Sequence, residues 1–269
     1  MRKNKLSFIV LSIASIFYYF HVTASQNIVI DNIKKKDLSV EIKNGIEHIN
    51  IEKTDENGIS HNYYQKFNIS QEGVIIENTN DVAAKIIVNE VTSDKKSFLR
   101  GVLAVNGQPA ELIIANPNGI KCKGCWFSGS TIQRLLVGKV FYIDEHSLAR
   151  FRDVGFDKVQ TGELLLPTEN GDIVFKGINH VHRSEEGRLD LISRHVKIMD
   201  HSSLSANTIY AIIGDNIVRV SNQNKLSIIG KSRLSNPIPV SGLTIGKDAT
   251  IQAKYTNIIL TDNNPINNK

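Results

Sequence analysis

The sequence predicts an all-β chain built as a solenoid of short strands. Short apolar runs bounded by Gly, Asn, Asp or Pro dominate after about residue 46, and no window carries a convincing helical stripe. In the last third, an Ile-Gly-charge triplet recurs at intervals of sixteen residues, starting at Ile213, Ile229 and Ile245. Near-constant spacing is typical of a solenoid, in which each rung buries its apolar face against the next. Periodicity alone leaves open a β-sandwich with chance spacing.

The chain begins with the three-part layout of a secretory signal peptide. Three basic residues precede an apolar run from Leu6 to Phe20, and a short stretch ending at Ala24 follows it. The run contains three serines and is shorter than the roughly twenty residues that a membrane-spanning helix needs. We therefore expect export with cleavage after Ala24 rather than a membrane anchor. Removal of residues 1–24 lowers the formal net charge from +5 to +2.

The remainder predicts one elongated β domain over residues 25–262, rather than two smaller domains, followed by a polar tail at 263–269. A mature chain of about 245 residues is ample for a sizeable core. Basic residues are scattered among acidic ones except at residues 34–36, where three lysines form a run typical of a solvated surface. We expect no nucleic-acid partner.

Strand predictions rest on apolar runs flanked by turn residues. Frequent Asn and Gly together with sparse aromatic residues favour many tight turns between short strands. The clearest runs are Gly73–Ile76, Lys85–Val88, Leu112–Ala115 and Leu164–Leu166.

A sharp turn follows the third of these runs and reads Asn116-Pro117-Asn118-Gly119-Ile120. Pro117 fixes φ at the second turn position, and Asn118 and Gly119 tolerate the tight or left-handed geometry that follows. The sequence therefore predicts a rigid corner here.

Cys122 and Cys125 follow the corner, and in a chain that leaves the cytoplasm a local disulfide is the leading expectation. A redox centre would need the pair at a helix N-terminus, and no such helix is visible. A zinc site would need further ligands, for which His180 and His182 are the candidate pair, although surface histidines on a strand are the commoner explanation. Trp126 is expected to pack this loop onto the solenoid, with an exposed role toward a glycan or a transporter as the alternative.

Motifs of acid-base or nucleophilic catalysis are not found. Carboxylates are scattered without visible pairing, and the sequence contains neither a Gly-x-Ser-x-Gly elbow nor a phosphate-binding loop. We predict no catalytic residue, no cofactor and no metal.

Taken in order, the motifs make this sequence resemble the N-terminal secretion domain of two-partner secretion exoproteins. That family includes filamentous haemagglutinins, secreted haemolysins and contact-dependent inhibition exoproteins. The likeness extends in the family's order over residues 57–215, on both sides of the corner and the cysteine pair. The other matching segments are Asn57–Asn62, Phe67–Ile69, Glu72–Ile75, Ile87–Val91, Gly101–Leu103 and Leu189–Arg194.

The resemblance implies a right-handed parallel β-helix with an N-terminal cap and extra β-hairpins. It also implies passage through the inner-membrane export machinery into the periplasm of a Gram-negative bacterium. An outer-membrane β-barrel transporter then recognises the extended chain through periplasmic repeat domains, and the β-helix forms as the chain emerges. The expected location is the medium or the cell surface.

Within that family, the corner matching Asn116 to Ile120 is associated with secretion competence. The pair matching Cys122 and Cys125 can form a disulfide in the haemolysin-like branch. Two readings of the corner stay open, because Asn116, Asn118 and Gly119 either contact the transporter or only hold a turn.

The sequence departs from the family pattern at two places. Residues 77–82 lack the proline of a second Asn-Pro-Asn-Leu element, and residues 133–138 replace a Thr-rich stretch. These changes indicate a divergent member and leave its transporter open. Because family members usually continue much further, a truncated exoprotein fits this length. The alternatives are a small stand-alone adhesin that binds host or bacterial glycans and, less favoured, a polysaccharide-degrading enzyme on the same fold.

Overall fold

The apolar runs form strands, and the chain coils through successive faces of parallel sheet. The computed structural model describes residues 26–34, 36–148, 159–181, 187–232, 242–261 and 267–268. The predicted signal peptide, the cleavage site at Ala24 and most of the polar tail lie outside these residues. Within the described ranges, no helix is long and apolar enough to cross a membrane.

Sheet A forms the longest face of the coil. Apart from the first strand, which is antiparallel, its neighbouring strands pair in parallel. In hydrogen-bonded order its strands are β1 (Ile28–Ile30), β4 (Ile59–Phe67), β6 (Ile86–Val91), β9 (Ala110–Ala115), β12 (Ser130–Leu136), β17 (Arg188–Ser193), β20 (Thr208–Ile213) and β25 (Tyr255–Leu260).

Three further sheets complete the coil. Sheet C is parallel and runs through β7 (Ser97–Leu99), β10 (Ile120–Lys123), β15 (Asp172–Lys176), β18 (His195–Ile198), β23 (Gly242–Ile245) and β26 (Asn267–Asn268). Sheet B runs through β2 (Ser39–Lys43), β3 (Ile46–Asn50), β5 (Val74–Asn78), β8 (Val102–Gly107) and β11 (Trp126–Ser128). Sheet D continues with β16 (Ile178–His180), β19 (Ser203–Ser205) and β24 (Thr250–Gln252).

The path of the chain defines a parallel β-helix. From β6 to β25 the chain passes from each sheet A strand to sheet C, in two cases after an excursion, then to sheet B or sheet D, and back to sheet A. The earlier strand β4 is followed directly by β5 of sheet B. The pairing of Ile59 with Ile86 gives one turn of 27 residues, and the pairing of Leu189 with Ile209 gives one of 20. The fold class predicted from the sequence, all-β with a parallel β-helix, is confirmed.

The first turn of the coil is closed by antiparallel strands. β1 pairs with β4, and β2 forms a hairpin with β3. Glu52 holds the loop before this hairpin, since its carboxylate accepts hydrogen bonds from the backbone N–H groups of Lys36 (2.6 Å), Asp37 (2.8 Å) and Leu38 (3.0 Å). These hydrogen bonds lower the pKa of Glu52 although burial, the largest single influence, acts to raise it.

Sheet E lies outside the coil and is antiparallel. Two excursions of the chain, one between β12 and β15 and one between β20 and β23, supply its strands. They are β13 (Phe141–Tyr142), β14 (Leu164–Pro167), β21 (Ile217–Val220) and β22 (Leu226–Gly230). The excursions meet where Leu164 pairs with Val220. A helical turn at residues 145–148 packs Leu148 against the far side of this sheet.

The central strands of sheet A are consequently buried on both faces. Leu112, Ile114 and Leu135 point into the coil and join the main core. Ile113 and Leu136 point outward and pack with Leu166 and Val218 of sheet E in a second core. This double burial explains why every residue of β9 is buried, as expected for a strand covered on both sides.

The sixteen-residue triplets are not equivalent positions of the coil. Ile213 ends β20 in sheet A, Ile229 lies in β22 of sheet E, and Ile245 ends β23 in sheet C. Since the observed turns span 20 and 27 residues, the triplet spacing does not measure a rung. Each of the three Ile-Gly pairs lies at the end of a strand, so their repetition reflects strand ends in three different sheets.

Candidate functional site

The predicted corner joins β9 to β10, where the chain passes from sheet A to sheet C. The N–H of Asn116 donates to the carbonyl of Leu136 in the next turn of the coil (2.9 Å), which continues the sheet to the strand end. The N–H of Gly119 donates back to the carbonyl of Asn116 (3.1 Å) and closes a tight turn. Sequence and structure agree on a sharp corner at this place.

The side chain of Asn116 is fully buried and ties the corner to the preceding turn of the coil. Its Nδ2 donates to the carbonyl of Lys95 and to Oγ of Ser97, each at 2.9 Å. Its Oδ1 accepts from the N–H of Asn118 at 2.9 Å. Buried backbone groups need partners, and this amide supplies them where the regular ladder ends.

Asn118 and Pro117 form the outer part of the corner and are partly exposed. Nδ2 of Asn118 donates to the carbonyl of Ser93 at 2.7 Å, a second link to the preceding turn. In the folded corner Pro117 and Asn118 are therefore accessible from outside, whereas Asn116, Gly119 and Ile120 are buried.

Gly119 is required by both conformation and space. Its φ is +117°, a backbone region that other residues rarely adopt. A Cβ at this position would lie 3.0 Å from the carbonyl oxygen of Asp172 and 3.2 Å from its nitrogen, in the following turn of the coil. The corner is therefore held between the turn before it and the turn after it.

Cys122 and Cys125 are joined by a disulfide, and both are buried. The fully buried Asn179 fastens the loop between them to the next turn. Oδ1 of Asn179 accepts from the N–H groups of Gly124 (2.9 Å) and Cys125 (3.4 Å). Sequence reasoning missed this role, because Asn179 lies more than fifty residues further along the chain.

His180, one of the two candidate metal ligands, does not lie in a metal site within the described part of the chain. Nδ1 of His180 is 2.6 Å from Oγ of Ser205 on the neighbouring strand, and His182 lies outside the described residues. Among those residues no group of three potential His, Cys, Asp or Glu ligands comes together.

Trp126 does not pack inward as expected. The side chain is 37% exposed on the outer side of β11, while Phe127 beside it is buried in the core. The alternation along a strand explains the difference, since neighbouring side chains point to opposite faces.

Asn78 performs a comparable task where the proline of the second family element is missing. Its buried Nδ2 donates to the carbonyls of Ala84 (2.9 Å) and Gln108 (2.7 Å), and its Oδ1 accepts from the N–H of Ala84 (2.7 Å). The corner at residues 78–84 is thus held by one amide without proline.

Arg134, within the stretch that departs from the family pattern, is the largest fully buried side chain in the described ranges. It ion-pairs with Glu111 on β9 and, through Nε, with Asp190 on β17 at 2.9 Å. Arg188 adds a second cation 2.6 Å from Asp190. The network lies on the outer face of sheet A and spans three consecutive turns. Alternation within β12 places Arg134 on the same face as Leu136, but the sequence does not reveal which acids it meets.

The family comparison covers nearly the whole coil: the family described as "TPS secretion domain" matches residues 22–264. "Toxin CdiA" of Yersinia pestis is 30% identical over 199 residues, which are 67% of this chain and 6% of that protein. "Hemolysin" of Proteus mirabilis is 31% identical over 193 residues, covering 65% of this chain and 11% of that protein. The chain thus spans about a tenth or less of these relatives.

Among solved structures, the filamentous hemagglutinin secretion domain matches with a TM-score of 0.62 at 18% identity, covering 86% of this chain and 97% of that one. The match supports the β-helix fold. The chain belongs to the two-partner secretion (TPS) family of secretion domains. It is a targeting domain rather than a catalytic one, of the kind carried by exoproteins that Gram-negative bacteria export across the outer membrane to the cell exterior.

Proposed function

We propose that this domain is recognised by a dedicated outer-membrane β-barrel transporter and starts β-helix folding at the cell exterior. The family match over residues 22–264 carries this proposal, because it includes the corner, the cysteine pair and every described strand of the coil except β26. The inner-membrane export machinery and the transporter's periplasmic repeat domains are the partners it requires.

Burial at the corner favours recognition before folding. Asn116 and Gly119 are buried in the finished coil, so a partner reaches them only while the chain is extended. In that state the segment from Asn116 to Ile120 presents its side chains and backbone groups freely. Once the corner closes, the contacts of Asn116 pass from the transporter to Lys95 and Ser97.

The architecture supports folding that starts at one end of the chain as it emerges at the cell exterior. Each turn of a solenoid contacts mainly its neighbours, so structure can propagate from an end once that end has formed. Here β1 and β2 close the N-terminal end with antiparallel pairing, which gives the following turns a template. The N-terminal cap is therefore the first part to fold as the chain emerges.

Secretion of matched variants tests the role of the corner. The chain is co-expressed with the transporter, and its amount in the medium is measured for wild type, Asn116→Ala and Asn78→Ala. Both asparagines are fully buried, and each bonds neighbouring backbone at a corner. We expect Asn116→Ala to lower export strongly and Asn78→Ala to lower it little. Equal losses would show that the corner acts only through folding.

A binding measurement separates recognition from folding. Purified periplasmic repeat domains are mixed with the chain held unfolded in urea, as wild type and as the same two variants. In the unfolded chain neither asparagine has a structural role, so weaker binding by Asn116→Ala alone supports direct contact. Unchanged binding would exclude Asn116 as a recognition residue, whatever happens to export.

A further inference from the structure

A row of cations crosses the outer face of sheet C. Lys123 on β10 pairs directly with Lys176 on β15. Arg100 follows Leu99, which pairs with Cys122, so it takes the next place in the same row. All three side chains are exposed, and adjacent strands lie about 4.8 Å apart. We call Arg100, Lys123 and Lys176 the basic ladder.

An aromatic ring and a further lysine lie beside the ladder. Lys121 pairs with Phe98 across β7 and β10, and its Nζ is 5.6 Å from the centroid of that ring. The guanidinium of Arg100 lies 5.8 Å from the same centroid. Phe98 is partly exposed and offers an apolar surface between the two cations.

Acidic partners for these cations are missing from the described part of this face. Among the described strands of sheet C, Asp172 is the only acidic residue, and its carboxylate already forms an ion pair with Lys197 at 2.7 Å. Within the described residues no salt bridge reaches Arg100, Lys121, Lys123 or Lys176. Like charges directly opposite each other on neighbouring strands are destabilising, so a bound anion would relieve the repulsion within the ladder.

A hollow of about 510 Å³ adjoins the ladder and supplies neutral hydrogen-bonding groups. Asn68, Ser70 and Gln71 line it together with Arg100 and Lys123, and Glu72 is the acid at its border. Cations in a row, an aromatic surface and hydroxyl and amide groups are the combination that suits an acidic sugar chain.

We propose that this face binds an anionic polysaccharide, with successive acidic groups on the basic ladder and a sugar ring on Phe98. The length of one sugar unit is close to the strand spacing, so consecutive charged units meet consecutive rungs. An exported domain encounters such polymers outside the cell. The interaction belongs to the folded coil and is separate from recognition of the extended chain.

Binding is tested on the exported chain with heparin, which carries sulfates, polygalacturonate, which carries carboxylates, and neutral dextran. The ladder variant is Arg100→Gln/Lys123→Gln/Lys176→Gln. The control Lys85→Gln/Lys225→Gln/Lys254→Gln loses the same charge from scattered exposed lysines. We expect at least one anionic polymer to bind, the ladder variant to lose about tenfold in affinity and the control to lose less than about twofold. The polymer that binds identifies sulfate or carboxylate as the acidic group.

Several outcomes would overturn the proposal. Equal losses of affinity in the two triple variants would indicate unspecific electrostatic attraction. Dextran binding as tight as that of the anionic polymers would show that charge plays no role. Duplex DNA bound as tightly as the best polysaccharide would exclude a sugar-specific face. The thermal midpoint controls for folding, and the ladder variant is expected to match or exceed wild type because repulsion is relieved. Lys176→Gln alone supplies a milder variant whose unchanged affinity would also count against the ladder.

Discussion

At the scale of single residues, buried amide side chains take over where the parallel ladders stop. Asn116, Asn78 and Asn179 are each fully buried, and each donates and accepts hydrogen bonds with backbone groups of an adjoining turn or loop. An amide suits this task because it combines a donor and an acceptor in one short side chain. Corners of the coil are therefore specified by a few asparagines rather than by apolar packing.

Gly119→Ala tests the space and conformation at the predicted secretion corner. The new Cβ would combine a positive φ with a 3.0 Å approach to the carbonyl of Asp172. We expect the free energy of unfolding to fall by about 2 kcal/mol or more in urea titration. Gly177→Ala is the control, because Gly177 also has a positive φ of +70° but no atom within 4 Å of its Cβ. Equal losses for both variants would contradict the crowding at Gly119.

Glu77→Gln tests a pH-dependent contribution. Hydrogen bonds from His48 (2.7 Å) and then Asn106 (2.6 Å) lower the pKa of Glu77 below its ordinary value. A lowered folded-state pKa gives stability that is present above the unfolded-state pKa of about 4.3 and lost as pH falls through the folded value.

We therefore expect Glu77→Gln to be less stable than wild type by about 1 kcal/mol at neutral pH, and the difference to shrink as the pH falls below about 4. Urea unfolding across that pH range measures both. Glu41→Gln, at an exposed position on β2, two strands away from β5 in sheet B, is the control. A deficit that stays constant down to low pH would contradict the ionic origin.

At the scale of elements, a buried ionic network joins three strands of sheet A. Arg134 of β12 is fully buried between Glu111 of β9 and Asp190 of β17. Removing one partner leaves buried charges without compensation, which is far more destabilising than the intact pair is stabilising. We expect Arg134→Met to lower the free energy of unfolding by about 3 kcal/mol or more.

The matched control is Arg188→Met, since Arg188 binds the same Asp190 but is partly exposed. Its loss should be clearly smaller in the same urea titration, because solvent and Arg134 still compensate the carboxylate. A loss for Arg134→Met no greater than that of the control would show that the network is open to water.

Local signals in the sequence predict the strands well and their distant partners poorly. The apolar run at residues 73–76 leads into β5 and the run at 112–115 lies in β9, and the turn chemistry of Pro117 and Gly119 places the corner. The resemblance implied extra β-hairpins, but the sequence did not reveal that β14 pairs with β21, about fifty residues away, to form sheet E. The triplet spacing predicted a solenoid whose real turns have other lengths.

At the candidate site, too, the sequence predicts local geometry but not the contacts between distant residues. Corner and cysteine pair are contiguous in sequence, so their local geometry follows from residue types. Asn179, Ser97 and Asp172, which clamp the corner and its loop, come from other turns of the coil. These contacts follow only from the register between turns of the coil. Because several strands share a similar apolar pattern, the sequence does not determine that register.

At the scale of the whole molecule, sheet E converts a simple coil into a structure with two cores. The inner core fills the coil, and the outer core lies between sheet A and sheet E. Because two strands of sheet A, β17 and β20, lie between its two excursions in the chain, we expect sheet E to close only after both are in place. The outer core is therefore expected to form after the sheet A strands that it covers.

Paired substitutions in one strand test this two-core arrangement. Ile113 and Ile114 are neighbours on β9, both fully buried, but they point into the outer and the inner core respectively. A strand covered on one face would tolerate one of the two truncations. Here we expect Ile113→Ala and Ile114→Ala each to lower the free energy of unfolding by about 2–5 kcal/mol. Ile259→Ala, at a position 38% exposed on β25, is the control and should cost less than about 1 kcal/mol. A small loss for Ile113→Ala beside a large one for Ile114→Ala would mean that sheet E does not cover sheet A in solution.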